Sequence, residues 1–299
     1  MNASATNTIP AALDVRSALR EAMARLSAAA VPSHALAAEL LLMHALGRER
    51  AWLYAHPEFG LDPGLVEKYF ALVARRVSGE PTQYLTGKQE FWGMEFEVTP
   101  DVLIPRPETE HVIEVALERI GAASKNDALR VADVGTGSGC IAVALARELP
   151  RAEIFATDIS AAALGVARRN AARHGIAERI RFVETNLLDA FGGGLHRFDL
   201  IVSNPPYIRR GDEFALQREI RKHEPEIALF ASDDGLAAYS PLIRDAANSL
   251  RTGGILVLEL GYNSLTGVRE LLESAGSWSD IRVANDLAGI PRVISAARL

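Results

Sequence analysis

The fold is decided by the stretch VADVGTGSGC, residues 131–140. An apolar segment runs into a glycine-rich turn, and a helical pattern follows over residues 141–149. Glycines let the backbone pass close to a ligand, and a helix N-terminus offers unpaired N–H groups and a partial positive charge to an anion. The stretch therefore predicts a strand, a loop that cradles a nucleoside cofactor, and a helix.

A second apolar segment, residues 153–157, ends at Asp158, about twenty residues beyond the glycines. An acid at this position can accept hydrogen bonds from both hydroxyls of a ribose. The dinucleotide fingerprint requires Gly or Ala where Cys140 stands, so S-adenosylmethionine fits the pattern better. The loop residues predicted to bind its methionine part are Gly135, Thr136, Gly137, Ser138 and Gly139.

The tetrapeptide Asn204-Pro205-Pro206-Tyr207 directly follows a third strand pattern that begins at Phe198. Open α/β sheets bind ligands at the carboxyl ends of their strands, so this position predicts an active site. Two carbonyl acceptors, the Asn204 side-chain oxygen and the Pro205 backbone oxygen, can orient the N–H bonds of a planar NH2 group. Tyr207 can stack on the substrate plane, and the prolines donate no competing N–H.

These residues predict methylation of nitrogen. The methyl group of S-adenosylmethionine would point toward Asn204, which is therefore assigned to the cofactor as well as to the substrate. Asn204, Pro205 and Tyr207 are the predicted catalytic residues, and together with Pro206 they are predicted to bind the substrate. Transfer would be direct, because no nucleophile is required.

Several segments resemble the HemK/PrmC family of protein-glutamine N5-methyltransferases, which modify class I peptide chain release factors. Besides the two motifs above, the similar segments are residues 79–87, 90–93, 103–110 and 223–226. Asn-Pro-Pro-Tyr alone also occurs in amino-methylating DNA and RNA enzymes, whereas residues 103–110 are more restrictive. The related ribosomal-protein glutamine methyltransferases typically carry Arg-Ser-Pro where this chain has Arg106-Pro107-Glu108, so the release-factor branch is favoured.

The resemblance implies a site as well as a reaction. Residues 135–139 and Asp158 would hold S-adenosylmethionine, which leaves as S-adenosyl-L-homocysteine, and residues 204–207 would bind the glutamine of a Gly-Gly-Gln motif in the release factor. In the family an Asp and an aromatic residue usually lie near the adenine, where this chain has Asn186 and Leu187. We still expect Asn186 to accept a hydrogen bond from the adenine amino group and Leu187 to cover the ring.

The hydrophobic periodicity divides the chain into an all-helical part and an alternating α/β part. The predicted domains are residues 1–79, a helical domain for substrate recognition, residues 80–107, a hairpin linker, and residues 108–299, the methyltransferase domain. In the first domain we predict helices over residues 12–29, 33–46 and 63–77, with Ser33 and Asp62 as N-caps. The fold class is α/β: a class I, Rossmann-like methyltransferase with a mostly parallel seven-stranded sheet, whose last strand the resemblance implies to be antiparallel.

Composition narrows the choice of partner and compartment. A net charge of −6 disfavours a stable nucleic-acid partner, although Arg209 and Arg210 could dock an acidic patch of a protein substrate. The one cysteine suits a reducing compartment and is expected to lie in the core. Neither a secretion signal nor an apolar run of about twenty residues is found, so we expect a cytoplasmic protein without a membrane partner. The histidines lack metal-ligand spacing, which predicts no metal.

Two other classes of function stay open on these residues. A nucleic-acid amino-methyltransferase could use the same clamp on adenine or cytosine, but a basic target-reading domain is missing from the sequence. A non-catalytic S-adenosylmethionine-binding module would not need the intact Asn204 clamp. Methylation of a ribosomal protein rather than a release factor is a third possibility, within the same reaction type.

Overall fold

The computed structural model describes residues 13–121, 126–191, 197–231 and 235–299. The chain divides into two compact units. One unit comprises the described residues up to Gly87 together with Arg218–His223, and the other comprises Lys88–Gln217 and Glu224–Leu299. Residues 1–12, and with them the start of the helix predicted over residues 12–29, lie outside the described residues.

The first elements in chain order are β1 (Leu13–Asp14), α1 (Val15–Ala28), α2 (His34–Leu46), α3 (Arg50–Ala55), β2 (Gly60–Leu61), α4 (Pro63–Val77) and α5 (Thr82–Thr86). Then follow β3 (Lys88–Phe91), β4 (Met94–Glu97), α6 (Glu110–Ile120), β5 (Arg130–Val134), α7 (Cys140–Glu148), β6 (Glu153–Asp158), α8 (Ala161–Arg173), β7 (Ile180–Glu184) and β8 (Phe198–Ser203). The remaining elements are α9 (Arg218–His223), α10 (Glu226–Leu229), α11 (Tyr239–Ser249), β9 (Leu250–Glu259), α12 (Leu265–Ser274), β10 (Trp278–Asn285) and β11 (Pro291–Arg298). Short 3-10 turns lie at Pro107–Thr109, Ala177–Arg179, Asp189–Phe191 and Arg210–Ala215.

The first unit packs α1, α2 and α4 around a core of its own. The predicted helix over residues 63–77 is confirmed, and the Asp62 side chain accepts a hydrogen bond from the Leu65 N–H at 2.9 Å, as its N-cap role requires. Ser33 stands before α2 but was wrongly predicted as a cap. Its backbone is left-handed (φ 49°) and its side chain makes no capping hydrogen bond. The short helices α3 and α5 were not predicted.

The second unit is built on a seven-stranded sheet with the order β10-β11-β9-β8-β5-β6-β7. Pairing is parallel from β7 through β9, and β11 is antiparallel to both of its neighbours. The predicted mostly parallel sheet with an antiparallel last strand is therefore confirmed. Strands buried on both faces read as continuous apolar runs, which is why β5 and β8 were visible in the sequence.

The hairpin predicted around Gly93 is confirmed as β3 and β4, with Trp92 (φ 55°) and Gly93 (φ 66°) in the turn. A turn with two left-handed residues matches the twist of its strands. The hairpin belongs to the second unit, and its role as a linker stays a prediction. Asn170 on α8 joins it to the glycine loop: its amide nitrogen donates to the carbonyls of Glu97 at 3.0 Å and of Ser138 at 2.9 Å.

A close contact between α8 and the glycine loop fixes the start of α7. Gly139 has φ 81°, and a Cβ built there would lie 2.9 Å from the Ala167 Cβ. Only glycine combines this backbone angle with such an approach. Cys140, the next residue, is buried as predicted, and burial raises the pKa of its thiol to about 12.

Replacing Gly139 by alanine tests whether this contact sets the packing of the loop. Gly139→Ala is expected to lower the free energy of unfolding by about 2–4 kcal/mol, from the left-handed backbone and the overpacking together. Gly175→Ala is the matched control, because Gly175 has φ 69° but no atom lies within 4 Å of the position that a Cβ would take there. It should cost only about 1–2 kcal/mol. Urea unfolding of both variants measures the difference, and equal losses would contradict a steric role for Ala167.

Candidate active site

Four neighbouring strands bring their carboxyl ends to one level of the sheet. In the parallel register Val134 of β5 pairs with Thr157 of β6 and with Ser203 of β8, and Ser203 pairs with Leu258 of β9. The residue that follows each of these four positions in the chain is a predicted site residue or an acid: Gly135, Asp158, Asn204 and Glu259. Adjacent strands are about 4.8 Å apart, so these four residues form one continuous row.

The glycine loop is held against the end of β6. The N–H groups of Gly135 and Thr136 both donate to the Thr157 carbonyl, at 2.9 and 2.8 Å. Gly135 and Gly137 have positive φ angles, 72° and 54°, and the space where their Cβ atoms would lie is open. Thr136 and Ser138, which alternate with the glycines of the loop, are buried. The loop therefore presents bare backbone to any ligand above it.

Asp158, at the end of the neighbouring strand β6, is hydrogen-bonded to the glycine loop. Its Oδ2 accepts the Gly137 N–H at 2.9 Å and its Oδ1 accepts the Ser160 N–H at 2.9 Å. Burial raises the pKa of Asp158, against the opposing effect of these backbone hydrogen bonds. A carboxylate oxygen has two lone pairs, so each oxygen retains one for a ribose hydroxyl. Ile159, which follows it, is a 53% exposed apolar side chain that could cover an adenine ring.

Asp133 supports the loop from below. Its Oδ2 accepts hydrogen bonds from the Thr136 hydroxyl at 2.6 Å and from the Ala142 N–H at 3.0 Å. Oδ1 is buried and has no hydrogen-bond partner within the described ranges. Burial raises the pKa of Asp133 to about 7. This acid therefore connects β5, the loop and the first turn of α7.

Asn204 is oriented by Thr109 of the Pro107–Thr109 turn. The Asn204 Nδ2 donates to the Thr109 Oγ1 at 3.1 Å. The Asn204 Oδ1 makes no hydrogen bond to any residue in the described part of the chain. The amide is thus placed with its donor toward the protein and its acceptor available, as the predicted clamp requires.

The other three residues of the tetrapeptide are partly or fully buried. Pro205 is buried and Pro206 is half-buried. The ring of Tyr207 lies against Gly261, where a Cβ would come within 2.6 Å of the Tyr207 Cδ2. The Tyr207 hydroxyl donates to Glu259 Oε1 at 3.4 Å, and burial raises the pKa of Tyr207. Beyond the tetrapeptide, Ile208 pairs with Phe230 as an isolated parallel bridge.

An ion pair joins two of the segments that resemble the HemK/PrmC family. Arg106 donates to the Glu224 Oε1 at 2.5 Å, and the Ile104 N–H donates to Oε2 at 3.3 Å. Glu224 is buried and the Arg106 side chain is half-buried. Arg209 and Arg210, after the tetrapeptide, are exposed, and Arg210 lies 3.7 Å from Glu226.

Asn186 and Leu187 lie beyond β7, at the cofactor side of the sheet. Asn186 is exposed, and its Nδ2 donates weakly to Asp189 at 3.4 Å, so its carbonyl oxygen can still accept. Leu187 has a left-handed backbone (φ 47°), which is unusual for leucine. Its side chain is half-buried and packs against the apolar cluster that includes Leu188 and Phe191. Contact of either residue with adenine stays a prediction.

The residues fit S-adenosylmethionine on two observations. The open space at Gly135 and Gly137 leaves room for the methionine part to approach the backbone, and each Asp158 oxygen makes one hydrogen bond and can accept another from a ribose hydroxyl. Thr109, Glu259 and Gly261 were given no role from the sequence alone. Glu259 could have been found, because it ends an apolar strand at the level of Asn204. Thr109 and Gly261 act through tertiary contacts that no local pattern displays.

Two other kinds of feature are not found among the described residues. In the parts of the chain that the structure describes, no helix has the length and apolarity needed to cross a bilayer. Among the same residues, no group of three or more His, Cys, Asp and Glu side chains is arranged to hold a metal ion.

Two models of known protein families match this chain. Residues 17–87 match the model of the PrmC N-terminal domain, and residues 116–226 match that of the methyltransferase small domain. The second unit is thus an S-adenosylmethionine-dependent methyltransferase domain, preceded by a helical module of one particular family.

Curated relatives identify that family. A release factor glutamine methyltransferase of Koribacter versatilis is 43% identical over 282 residues, which cover 94% of this chain and 98% of the relative. Those of Burkholderia pseudomallei and Chlorobaculum tepidum are each 46% identical, covering 90% and 87% of this chain and 94% and 89% of the relatives. The chain belongs to the release factor glutamine methyltransferase family.

Solved structures support the fold alone. The catalytic domain of hMettl16, in complex with MAT2A 3'UTR hairpin 6, has a TM-score of 0.55 and 20% identity, covering 76% of this chain and 81% of that chain. The Thermus thermophilus 16S rRNA N2 G1207 methyltransferase, in complex with AdoMet and guanosine, has a TM-score of 0.51 and 22% identity. It covers 71% of this chain and 50% of that one.

Removal of the Asp158 carboxylate tests the ribose assignment. Asp158→Ala is expected to raise the dissociation constant for S-adenosylmethionine about 10- to 100-fold, because hydrogen bonds to a charged group contribute about 1.5–3 kcal/mol. Calorimetry measures the change. Glu153→Gln, at the opposite end of the same strand, should bind like the unaltered protein. Unchanged binding by Asp158→Ala would remove the assignment.

Proposed function

We propose that this protein transfers a methyl group from S-adenosylmethionine to the side-chain amide nitrogen (N5) of the glutamine in the Gly-Gly-Gln motif of class I peptide chain release factors. The chain belongs to the release factor glutamine methyltransferase family, and its activity is S-adenosylmethionine-dependent. Such a substrate works in translation, so we place the enzyme in the cytoplasm.

One observation supports the choice of an amide substrate. Because Thr109 holds the Asn204 nitrogen, the Asn204 oxygen is available as an acceptor at the carboxyl end of β8. A primary amide offers two N–H groups, and the Pro205 carbonyl is the second acceptor in our proposal. The Tyr207 ring, seated on Gly261, would cover the plane of the amide.

In the proposed mechanism the protein acts mainly by orientation. S-adenosylmethionine supplies an electrophilic methyl group when bound. The two acceptors hold both N–H bonds so that the nitrogen lone pair points at the incoming carbon, which is the geometry an in-line transfer requires. A carbon–nitrogen bond forms as the carbon–sulfur bond breaks, and the nitrogen then loses one proton to water. In this mechanism Asn204, Pro205 and Tyr207 form no covalent bond to the methyl group.

The helical unit is proposed to recognise the release factor. It matches the family's N-terminal domain over residues 17–87, and we assign it no part in the chemistry. Selection of one protein among many requires more surface than a single glutamine offers, which favours a second contact region. Exposed Arg209 and Arg210 are candidates for docking an acidic patch near the site.

Methyl transfer to purified substrates tests the proposal. Labelled S-adenosylmethionine is offered with a class I release factor, with its Gly-Gly-Gln→Gly-Gly-Ala variant, with a ribosomal protein fraction, and with DNA or RNA. We expect label on the intact factor and none on the variant. Label on nucleic acid alone would show that the proposed substrate is wrong, although the assignment of S-adenosylmethionine as methyl donor would stand.

Replacing Asn204 by alanine distinguishes a role in holding the substrate amide from a role in binding the cofactor. We expect turnover of the release factor to fall about 100- to 1,000-fold, as for the loss of one oriented polar group in an active site. The dissociation constant for S-adenosylmethionine should change far less. Single-turnover rates and calorimetry give the two quantities, and equal losses in both would count against a substrate clamp.

A further inference from the structure

The ion pair between Arg106 and Glu224 has no part in the mechanism above. Both residues belong to the second unit. The Arg106 Nη2 donates to the Glu224 Oε1 at 2.5 Å, and the Ile104 N–H donates to the Oε2 at 3.3 Å. The Glu224 side chain is 1% exposed and that of Arg106 is 29% exposed. Burial of a carboxylate is unfavourable and an ion pair offsets it only in part, so the pair calls for a role other than stability.

Arg106 is one helical turn away from the residue that orients Asn204. The Thr109 N–H donates to the Arg106 carbonyl at 3.0 Å, which closes the 3-10 turn between them. The Thr109 Oγ1 in turn accepts from the Asn204 Nδ2 at 3.1 Å, and Thr109 is buried. The position of Arg106 therefore constrains the first residue of the tetrapeptide.

Glu224 is connected to the residue that follows the tetrapeptide. The short helix α10 begins two residues after Glu224 and ends at Leu229. The Ile208 N–H donates to the Leu229 carbonyl at 3.0 Å, and the Ile208 carbonyl accepts the Ala231 N–H at 2.8 Å. These two hydrogen bonds hold the backbone directly after Tyr207.

The tetrapeptide is thus held at both ends by segments that the ion pair connects. Residues 104–109 hold Asn204, and residues 224–231 hold Ile208. Arg106 and Glu224 join the two segments, so that the contacts and the chain between them form a closed ring, here called the clamp frame. Functional side chains keep a productive geometry only when the groups behind them are fixed in this way.

We infer that Arg106 and Glu224 are positioning residues whose ion pair, by closing the clamp frame, fixes the orientation of Asn204 toward the substrate amide. The inference rests on the proposed function, because it specifies what holds the clamp for that amide. Orientation is the main contribution assigned to the protein, and a misplacement of about 1 Å can lower a rate about 100-fold. In this role neither residue touches the glutamine.

The residue types suit such a connection. The planar guanidinium of arginine offers several donors in a fixed geometry, whereas lysine offers the same charge on a flexible stem. The two oxygens of Glu224 contact residues 104–109 at two points, the Arg106 side chain and the Ile104 backbone. The pair therefore fixes the direction of this segment as well as its distance from Glu224.

Single-turnover methylation of the release factor, with S-adenosylmethionine and the factor both saturating, tests the inference. Arg106→Met and Glu224→Ala should each lower the rate about 10- to 100-fold, because the clamp loses its alignment. Arg106→Lys should retain more of the rate than Arg106→Met. The dissociation constant for S-adenosylmethionine, measured by calorimetry, should be unchanged, because the glycine loop and Asp158 lie outside the clamp frame. Unaltered rates in Arg106→Met and Glu224→Ala would overturn the inference.

A double-mutant cycle distinguishes a positioning pair from a direct substrate contact. If the two residues act together, Arg106→Met/Glu224→Ala should be no slower than the slower of the two single variants. If Arg106 itself bound the substrate, its loss would lower the rate by the same factor with and without Glu224. That second result would rule out the positioning role.

Arg119→Met is the matched control. Arg119 lies 3.2 Å from Asp280 and its side chain is 3% exposed, so this pair also joins distant segments of the second unit. Asp280 lies near the start of β10, at the end of the sheet opposite to the proposed site. Arg119→Met should methylate at the rate of the unaltered enzyme. A loss as large as that of Arg106→Met would show that the effect is not specific to the clamp frame.

Hydrogen exchange without substrate separates this inference from the proposed function. The backbone N–H groups of Thr109, Ile208 and Ala231 donate hydrogen bonds within the clamp frame. Their exchange, followed by NMR, should be about tenfold or more faster in Arg106→Met and Glu224→Ala, and unchanged in Arg119→Met. This result would support the frame even if the unaltered protein gave the release factor no label, a failure that would count against the proposed function alone. Exchange at these three groups that neither variant accelerates would contradict the inference.

Discussion

The parallel pairing of β5 with β6 on one side and β8 on the other is the constraint on which the site depends. Val134, Thr157 and Ser203 are in register. The residues that follow them, Gly135, Asp158 and Asn204, therefore lie at the same level of the sheet. A shift of one strand by one residue would turn its buried side chains to the opposite face of the sheet. The apolar core therefore sets the spacing of the proposed site residues, although the core residues take no part in the proposed reaction.

Three acids at this edge connect the sheet to the loops above it. Asp133, Asp158 and Glu259 each have a pKa raised by burial, and each receives hydrogen bonds from a neighbouring segment. Buried acids of this kind cost stability unless they are satisfied. Asp133 and Asp158 accept hydrogen bonds from the glycine loop, and Glu259 accepts the Tyr207 hydroxyl, so these acids fix the backbone and side chains of the proposed site.

Much of this arrangement was predictable, because the most informative residues follow apolar strands directly. The glycine loop, Asp158 and Asn204 could each be assigned from the strand that precedes it. Glu259 carries the same signal and was overlooked, whereas Thr109 acts on Asn204 from 95 residues away in sequence. Ser33 has the composition of an N-cap, but its left-handed backbone removes the capping geometry. The short helices α3 and α5 fall below the length at which periodicity can be read.

The most direct test of this account is a crystal structure of the protein with S-adenosylhomocysteine and a Gly-Gly-Gln peptide. The account predicts that the glutamine amide nitrogen lies within about 3 Å of the Asn204 side-chain oxygen, while the Asn204 nitrogen remains on Thr109. It also predicts the Tyr207 ring against the plane of that amide. A glutamine bound elsewhere, or an Asn204 side chain that has left Thr109 to reach it, would contradict the account.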